Sequence, residues 1–185
     1  MERASSVNVK DIRPKNTVLL IILSSIHVET DPHKTKSMWI TTYSKTFQNV
    51  TKEALWELWT DVNQWSAWHR DLEFCTLNGP FEVGNYFILK PKGIRPIKII
   101  LTEIEKGRKF TDYTSFFGAK MCDTHEVEET RDGSIKLTNI LTVTGPLKGL
   151  WIKLVAQNVA NTVPEEMEGL VNLARKKHCS SPLRV

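Results

Sequence analysis

The sequence predicts an α+β domain in which seven antiparallel strands are followed by a long C-terminal helix. Turn signals recur at short intervals between Asp71 and Thr144 with no helical pattern between them, so the strands they separate form a meander and not βαβ units. After Gly145-Pro146, the residues Ile152, Val155, Ala156, Val159, Ala160 and Val163 fall at offsets 0, 3, 4, 7, 8 and 11, the apolar stripe of a helix.

Taken in order, Trp39 to Phe47 alternates enough, through Ile40, Thr42, Tyr43 and Phe47, to be the first strand. Asn49-Val50-Thr51 then offers a helix cap, and Glu53 places an acid at the positive end of the helix dipole. As a glycosylation triplet the same three residues are a chance match. Ala54, Leu55, Leu58 and Val62 predict a helix of about 11 residues. An aromatic connector from Asn63 to His69 follows. Five of the six tryptophans lie between positions 39 and 68, with only Lys45 and Lys52 as cations among them. They read as core or pocket wall, because a base-stacking platform needs interleaved basic side chains. The meander is punctuated at Asn78-Gly79-Pro80, Glu82 to Asn85, Pro91 to Gly93, Lys106 to Arg108, Phe117 to Ala119 and Arg131 to Gly133.

The last hairpin can be put in register. A two-residue turn at Asp132-Gly133 would set Glu126 and Glu128 on one face with Leu137, Leu141 and Val143. A three-residue loop, Arg131-Asp132-Gly133, with glycine in the left-handed position pairs His125 with Asn139 and Asp123 with Leu141. It gathers Met121, Val127, Ile135, Leu137, Leu141 and Val143 on a covered face, leaving Glu126, Glu128, Lys136 and Thr138 to water. The second register separates the two classes far better and is adopted. It puts three polar groups, Asp123, His125 and Asn139, on the covered face.

In the C-terminal helix the apolar pattern resumes beyond Pro164 with Met167, Leu170, Val171 and Ala174, so one long helix kinked at Pro164 is expected, with Thr162 to Glu165 able to cap a restart. Arg175-Lys176-Lys177 complement its negative end. Leu150, Trp151 and Leu154 lie off the main stripe and mark either a contact with a neighbouring loop or a partner surface.

Composition bounds the rest. The chain has 185 residues, 41% hydrophobic and 25% charged, as in ordinary globular domains. The net charge of +4 sits in the tails: residues 1–37 carry 6 basic and 4 acidic side chains, 175–185 carry 4 and 0, and 38–174 carry 15 and 17. A nucleic-acid binder would show its basic face on the domain itself, so none is expected. The longest apolar run, Val18 to Leu23, has six residues and is too short to span a membrane. Cys75, Cys122 and Cys179 are too scattered for a disulfide framework or a zinc site, and Cys122 and His125 on one strand point to opposite faces. Reduced thiols and a cytoplasmic location are expected. No phosphate-binding glycine loop and no activated nucleophile is visible, and no metal or cofactor is expected.

Residues 1–37 stand apart. Arg13-Pro14-Lys15 and the apolar run to Leu23 resemble a short secretory leader across residues 13–25, but no small-x-small cleavage site follows. An N-terminal extension with one strand, or a natural start at Met38, fits better. The expected organisation is an extension (1–37), one domain (38–177) and a short tail (178–185).

A strand, short helices, six antiparallel strands and a long helix make the helix-grip order. Over Met38 to Lys177 the residues resemble bacterial START-like (SRPBCC) proteins of the polyketide cyclase/dehydrase-like group. The resemblance is carried by Trp65-Ser-Ala-Trp68, Leu77-Asn-Gly79-Pro-Phe81-Glu-Val-Gly84-Asn85, Lys90-Pro-Lys-Gly93, Thr124-His125-Glu-Val127, Thr142-Val-Thr-Gly145-Pro146 and Val163-Pro164 leading to Leu170, Leu173 and Ala174. It implies a curved sheet gripping the helix, with an apolar cavity between them and no fixed catalytic set.

Three functions follow as expectations, the third being a protein-interaction or assembly module that uses the Leu150, Trp151 and Leu154 surface. The first, and favoured, is the binding or carriage of a hydrophobic small molecule, by a monomer or weak homodimer. Asp123, His125 and Asn139 orient the ligand; Trp68, Met121, Leu141 and Val159 complete the wall. The second is a cyclase or dehydratase, needing no metal or nucleotide, in which His125 and Asp123 act as an acid–base pair. The three polar groups could equally satisfy one another without any ligand. Because the strand, helix and meander order is complete from Met38, a chain starting there should melt cooperatively within a few degrees of the full one. A molten or insoluble truncation would assign Val18–Leu23 to the core.

Overall fold

The computed structural model describes residues 38–180, with side chains as far as Lys177. The readings made on residues 1–37, and on Cys179 and the end of the tail, lie outside the described residues. Strand β1 (Trp39–Phe47) leads to helix α1 (Lys52–Thr60) and a 3-10 connector (Val62–Ala67). Six further strands follow: β2 (Leu72–Asn78), β3 (Tyr86–Pro91), β4 (Ile97–Glu105), β5 (Lys109–Phe116), β6 (Ala119–Glu129) and β7 (Ile135–Thr144). The chain ends in α2 (Lys148–Trp151), a π-turn (Ile152–Ala156) and α3 (Gln157–Ser180), which follow one another without a gap.

Thr51 caps α1, its side chain accepting from the Ala54 backbone N–H at 3.2 Å. The helix has 9 residues, shorter than its periodicity suggests, because Asp61 leaves helical geometry and the chain tightens into the connector. Of the four stripe residues, Leu55, Leu58 and Val62 are buried and Ala54 is half-buried.

All neighbouring strands are antiparallel, in the order β1-β7-β6-β5-β4-β3-β2. The first two strands of the chain are thus the two edges of the sheet, and α1 and the connector carry the chain from one edge to the other. Register shifts between Leu72 and Phe74 and between Leu101 and Glu103 are bulges, which add twist and bend the sheet into its grip.

The β6–β7 register is the one the three-residue loop demands: Met121 pairs with Val143, Asp123 with Leu141, His125 with Asn139 and Val127 with Leu137. Gly133 has φ 76°, and the Asp132 carboxylate accepts from Thr130 Oγ1 at 2.6 Å and from Ser134 Oγ at 3.1 Å. The six apolar residues assigned to the covered face are all buried. Thr138 is a correction: it does not reach water. Strand β1 lies beside it, and its hydroxyl pairs with Ser44 Oγ at 2.9 Å.

Helix α3 runs through Pro164 as one element, and no capped restart occurs at Thr162–Glu165; the Thr162 hydroxyl instead donates to the Val159 carbonyl at 2.9 Å. The irregular turn lies upstream, at Ile152–Ala156. Ala156, Val163, Met167, Leu170, Val171 and Ala174 bury the helix against the sheet and α1, each large apolar side chain contributing about 1.5–3 kcal/mol.

Gly169 sets how closely α3 approaches the connector, because a Cβ there would lie 2.4 Å from the Trp68 carbonyl oxygen. Gly149, by contrast, has open space around it. Gly169→Ala should therefore cost about 1–3 kcal/mol through overpacking against backbone. Gly149→Ala, in a helical position, should gain up to about 1 kcal/mol. Paired thermal melts check both signs.

Candidate functional site

The pleat of three neighbouring strands brings a polar group onto the face that α3 covers. Phe110 and Asp112 on β5, Asp123 and His125 on β6, and Asn139 on β7 meet across the ladder: His125 is the partner of both Phe110 and Asn139, and Asp112 of Asp123. Asn139 Nδ2 donates to Asp123 Oδ1 at 2.5 Å. His125 Nε2 stands 3.4 Å from Asp123 Oδ1 and 4.0 Å from Asp112 Oδ2. The imidazole is held flat on Phe110, with ring centroids 4.4 Å apart and planes at 15°, and the edge of Trp59 meets it at 5.8 Å. The ring orientation is thus fixed by aromatic packing, while its nitrogen faces two carboxyl groups.

The other wall comes from the connector and α3. His69 Nε2 pairs with Glu166 Oε1 at 3.1 Å, and outside it Arg70 Nη1 donates to Glu165 Oε1 at 3.2 Å. Together with the Gly169 approach, these pairs clamp Trp68 between α3 and the sheet. Trp65 Nε1 donates to the Trp59 carbonyl at 3.0 Å. Trp68 Nε1 has no acceptor although it is shut off from solvent, and it is the one such side-chain atom among the described residues. A buried N–H left in that state costs about 1–3 kcal/mol.

Trp59, Trp68, His125, Asn139, Val163, Glu166, Met167 and Leu170 line a half-open cavity of about 30 Å³. That is room for about two waters and far below the several hundred Å³ of a pocket shaped for a drug-sized ligand. A roomier groove of about 550 Å³, lined by Lys52, Arg108, Glu128, Glu129 and Arg131, is a charged, solvent-open ledge away from this cluster.

Of the residues singled out from sequence, Trp68, His125 and Asn139 line the cavity, and Asp123 reaches it through Asn139. Met121 and Leu141 are packed in the core, and Val159 lies against it; none of the three borders the cavity. Sequence reading missed Glu166, His69 and Asp112. Signals for two of them existed: Glu166 interrupts the apolar run Val159, Val163, Leu170 at helical spacing, and Asp112 shares its strand face with Phe110.

Burial pushes the Asp112 carboxyl well above its ordinary range, and the nearby Asp123 charge pushes the same way. Asp123 is also raised, first by burial; His125 and the Asn139 hydrogen bond oppose this, and Glu166 adds to it. Burial pushes Glu166 up as well, but the His69 hydrogen bond and charge, the Thr162 hydroxyl and His125 outweigh it and leave its carboxyl below the usual value. Two carboxyls that resist ionisation and one that favours it therefore surround His125, an arrangement that can hold and pass a proton.

The sequence profile of the family described as "Polyketide cyclase / dehydrase and lipid transport" matches residues 38–176. The chain belongs to this family. No curated protein matches it in sequence. Among solved structures it is similar to the hypothetical protein jhp0584 from Helicobacter pylori, at 14% identity and TM-score 0.61 over 92% of this chain and 100% of that one. It is also similar to truncated norcoclaurine synthase from Thalictrum flavum, at 11% identity and TM-score 0.58 over 74% and 93%. Ara h 8.0201 matches at 11% identity and TM-score 0.60 over 75% and 98%. At such identities the likeness is one of fold: the family member has the helix-grip architecture. No helix among its described residues is long and apolar enough to cross a membrane.

Asp112 yields a pH test. Its folded value lies above the ordinary 3.8, so between those two pH values the native state binds more protons than the unfolded chain, and stability falls as pH rises through the window. Asp112→Asn removes that slope. Its melting temperature should overtake the parent's progressively as pH rises above about 4, in melts taken from acid to neutral pH. Parallel curves at all pH values would contradict the burial of an ionisable Asp112.

Proposed function

We propose that this family member binds a hydrophobic small molecule and anchors its oxygen-bearing end between Trp68 and His125. The observation that carries the reading is the orphaned N–H of Trp68, a residue that lines the cavity. An isolated buried donor is costly unless something supplies an acceptor, and a carbonyl or hydroxyl oxygen does so. Val163, Met167 and Leu170 give the apolar surround that the rest of such a ligand requires. The space at hand admits a single small group, so a larger ligand enters as α3 and the connector part along the Trp68–Gly169 seam. The family's description, which includes lipid transport, supports the same class of ligand.

Acid–base catalysis is the second reading, favoured by one observation: His125 Nε2 lies 3.4 Å from a carboxylate whose ionisation is suppressed by burial. On a polyketide-like carbonyl compound, His125 would take the α-proton, and a neutral carboxyl would stabilise the developing enolate oxygen by donating to it.

The test is displacement of a bound environment-sensitive dye by an aromatic ketone and by the hydrocarbon of the same shape. The parent should prefer the ketone. Trp68→Phe should lose that preference by about three- to tenfold, the worth of one hydrogen bond, while keeping its cooperative melt. His125→Gln and His125→Phe should differ from each other in ketone affinity more than in melting temperature. Equal affinity for both compounds in the parent would sink the anchoring role.

A further inference from the structure

Among the residues that line the cavity beneath α3, Glu166 is the only acid, and no lysine or arginine stands with it. Its side chain is 21% exposed, on a helix face that Val163 and Leu170 otherwise keep apolar. His69 Nε2 holds its Oε1 at 3.1 Å from the connector, and His69 itself does not line the cavity. Burial opposes the charge on Glu166, but the hydrogen bond and charge of His69 outweigh it, so the carboxyl favours its ionised form.

An ionised carboxyl offers about four lone-pair sites. His69 and the Thr162 hydroxyl take two of them at most. Glu166 therefore brings spare acceptor capacity to a cavity whose wall also includes Trp68, a residue with a donor and no acceptor. The remaining polar groups leave this balance alone. His125 Nε2 faces Asp123 at 3.4 Å, and Asn139 Nδ2 donates to Asp123.

These two demands sort the chemistry of a guest. A carbonyl or ether oxygen accepts from an N–H but cannot donate to a carboxylate, and an ammonium donates but cannot accept. A carboxylate accepts, yet it would meet Glu166 as a like charge with no basic side chain of the lining to offset it, in a site where water screens little. A neutral hydroxyl accepts and donates through one oxygen. It also suits a space with room for about two waters.

We infer that the site selects hydrophobic molecules ending in a neutral hydroxyl, and that Glu166 both recognises that hydroxyl and turns carboxylates away. The inference rests on the anchoring reading above, to which it adds a second partner and an excluded class. It is tested with the full chain at neutral pH by dye displacement with naphthalene, naphthaldehyde, naphthol and naphthoate. Naphthol should bind about tenfold more tightly than naphthaldehyde, the worth of a hydrogen bond to a charged acceptor, and naphthoate at least tenfold more weakly than naphthol. Glu166→Gln, which keeps the shape and loses the charge, should bring naphthoate to within about threefold of naphthol. Glu168→Gln removes the same charge from an exposed position of α3 paired with Lys45, and should leave the ranking as in the parent. A parent that binds naphthoate as tightly as naphthol overturns the inference, and needs no variant to do so. Rejection of naphthoate that persists in Glu166→Gln also overturns it. Equal affinity for naphthalene and naphthaldehyde sinks the anchoring reading itself, whereas naphthaldehyde above naphthalene with naphthol no better than naphthaldehyde sinks only the role of Glu166.

Discussion

The structure rests on one turn. Because strand side chains alternate, the number of residues between β6 and β7 decides which half of both strands is covered. The three-residue loop at Arg131-Asp132-Gly133 is held by a left-handed glycine and by an Asp132 carboxylate that collects two hydroxyl groups. A one-residue slip would put Glu126 and Glu128 on the same face as Leu137 and Leu141, so that either the carboxylates go under the helix or the leucines go to water. With the loop in place, the same alternation that buries those leucines carries Asp123, His125 and Asn139 inward. The polar site is a consequence of the core's register and needs no separate device.

What was legible in the sequence follows from this. Alternation and turn chemistry are local, so the first strand, the α1 cap, the meander and the β6–β7 pairing could be read from spacing alone. So could the inward placement of His125. The features that escaped depend on groups brought together from afar. Thr138 looked solvent-bound on its own strand and is covered because β1 returns to pair beside it. Glu166 breaks an apolar stripe, but its meaning came only with His69, which approaches from the connector. The isolation of Trp68 Nε1 is less legible still: Trp65, three residues earlier, finds the Trp59 carbonyl, and no pattern in the sequence tells the two indoles apart. Cavity size is likewise a property of how Phe110, Trp59 and the α3 side chains settle together.

The seam between α3 and the connector is the soft boundary of the site. It is made of a backbone approach at Gly169, two ion pairs, one of them exposed, and the face of Trp68. The sheet side is made of ladder hydrogen bonds and fully buried apolar residues such as Phe110, Leu137 and Leu141. Local opening draws on the weaker of two such boundaries, which here is the helix side.

The position of β1 has a consequence for how the domain comes into being. Trp39 pairs with Val143, about a hundred residues later in the chain, so the first strand among the described residues leaves the ribosome long before its neighbour. At roughly 5–20 residues per second, β1 waits on the order of ten seconds without its partner during synthesis. Its Thr42, Ser44 and Thr46 make one face of that waiting strand largely polar, while Trp39, Tyr43 and Phe47 line the other. Pairing β1 with β7 is then a long-range event, the kind of contact that slows folding.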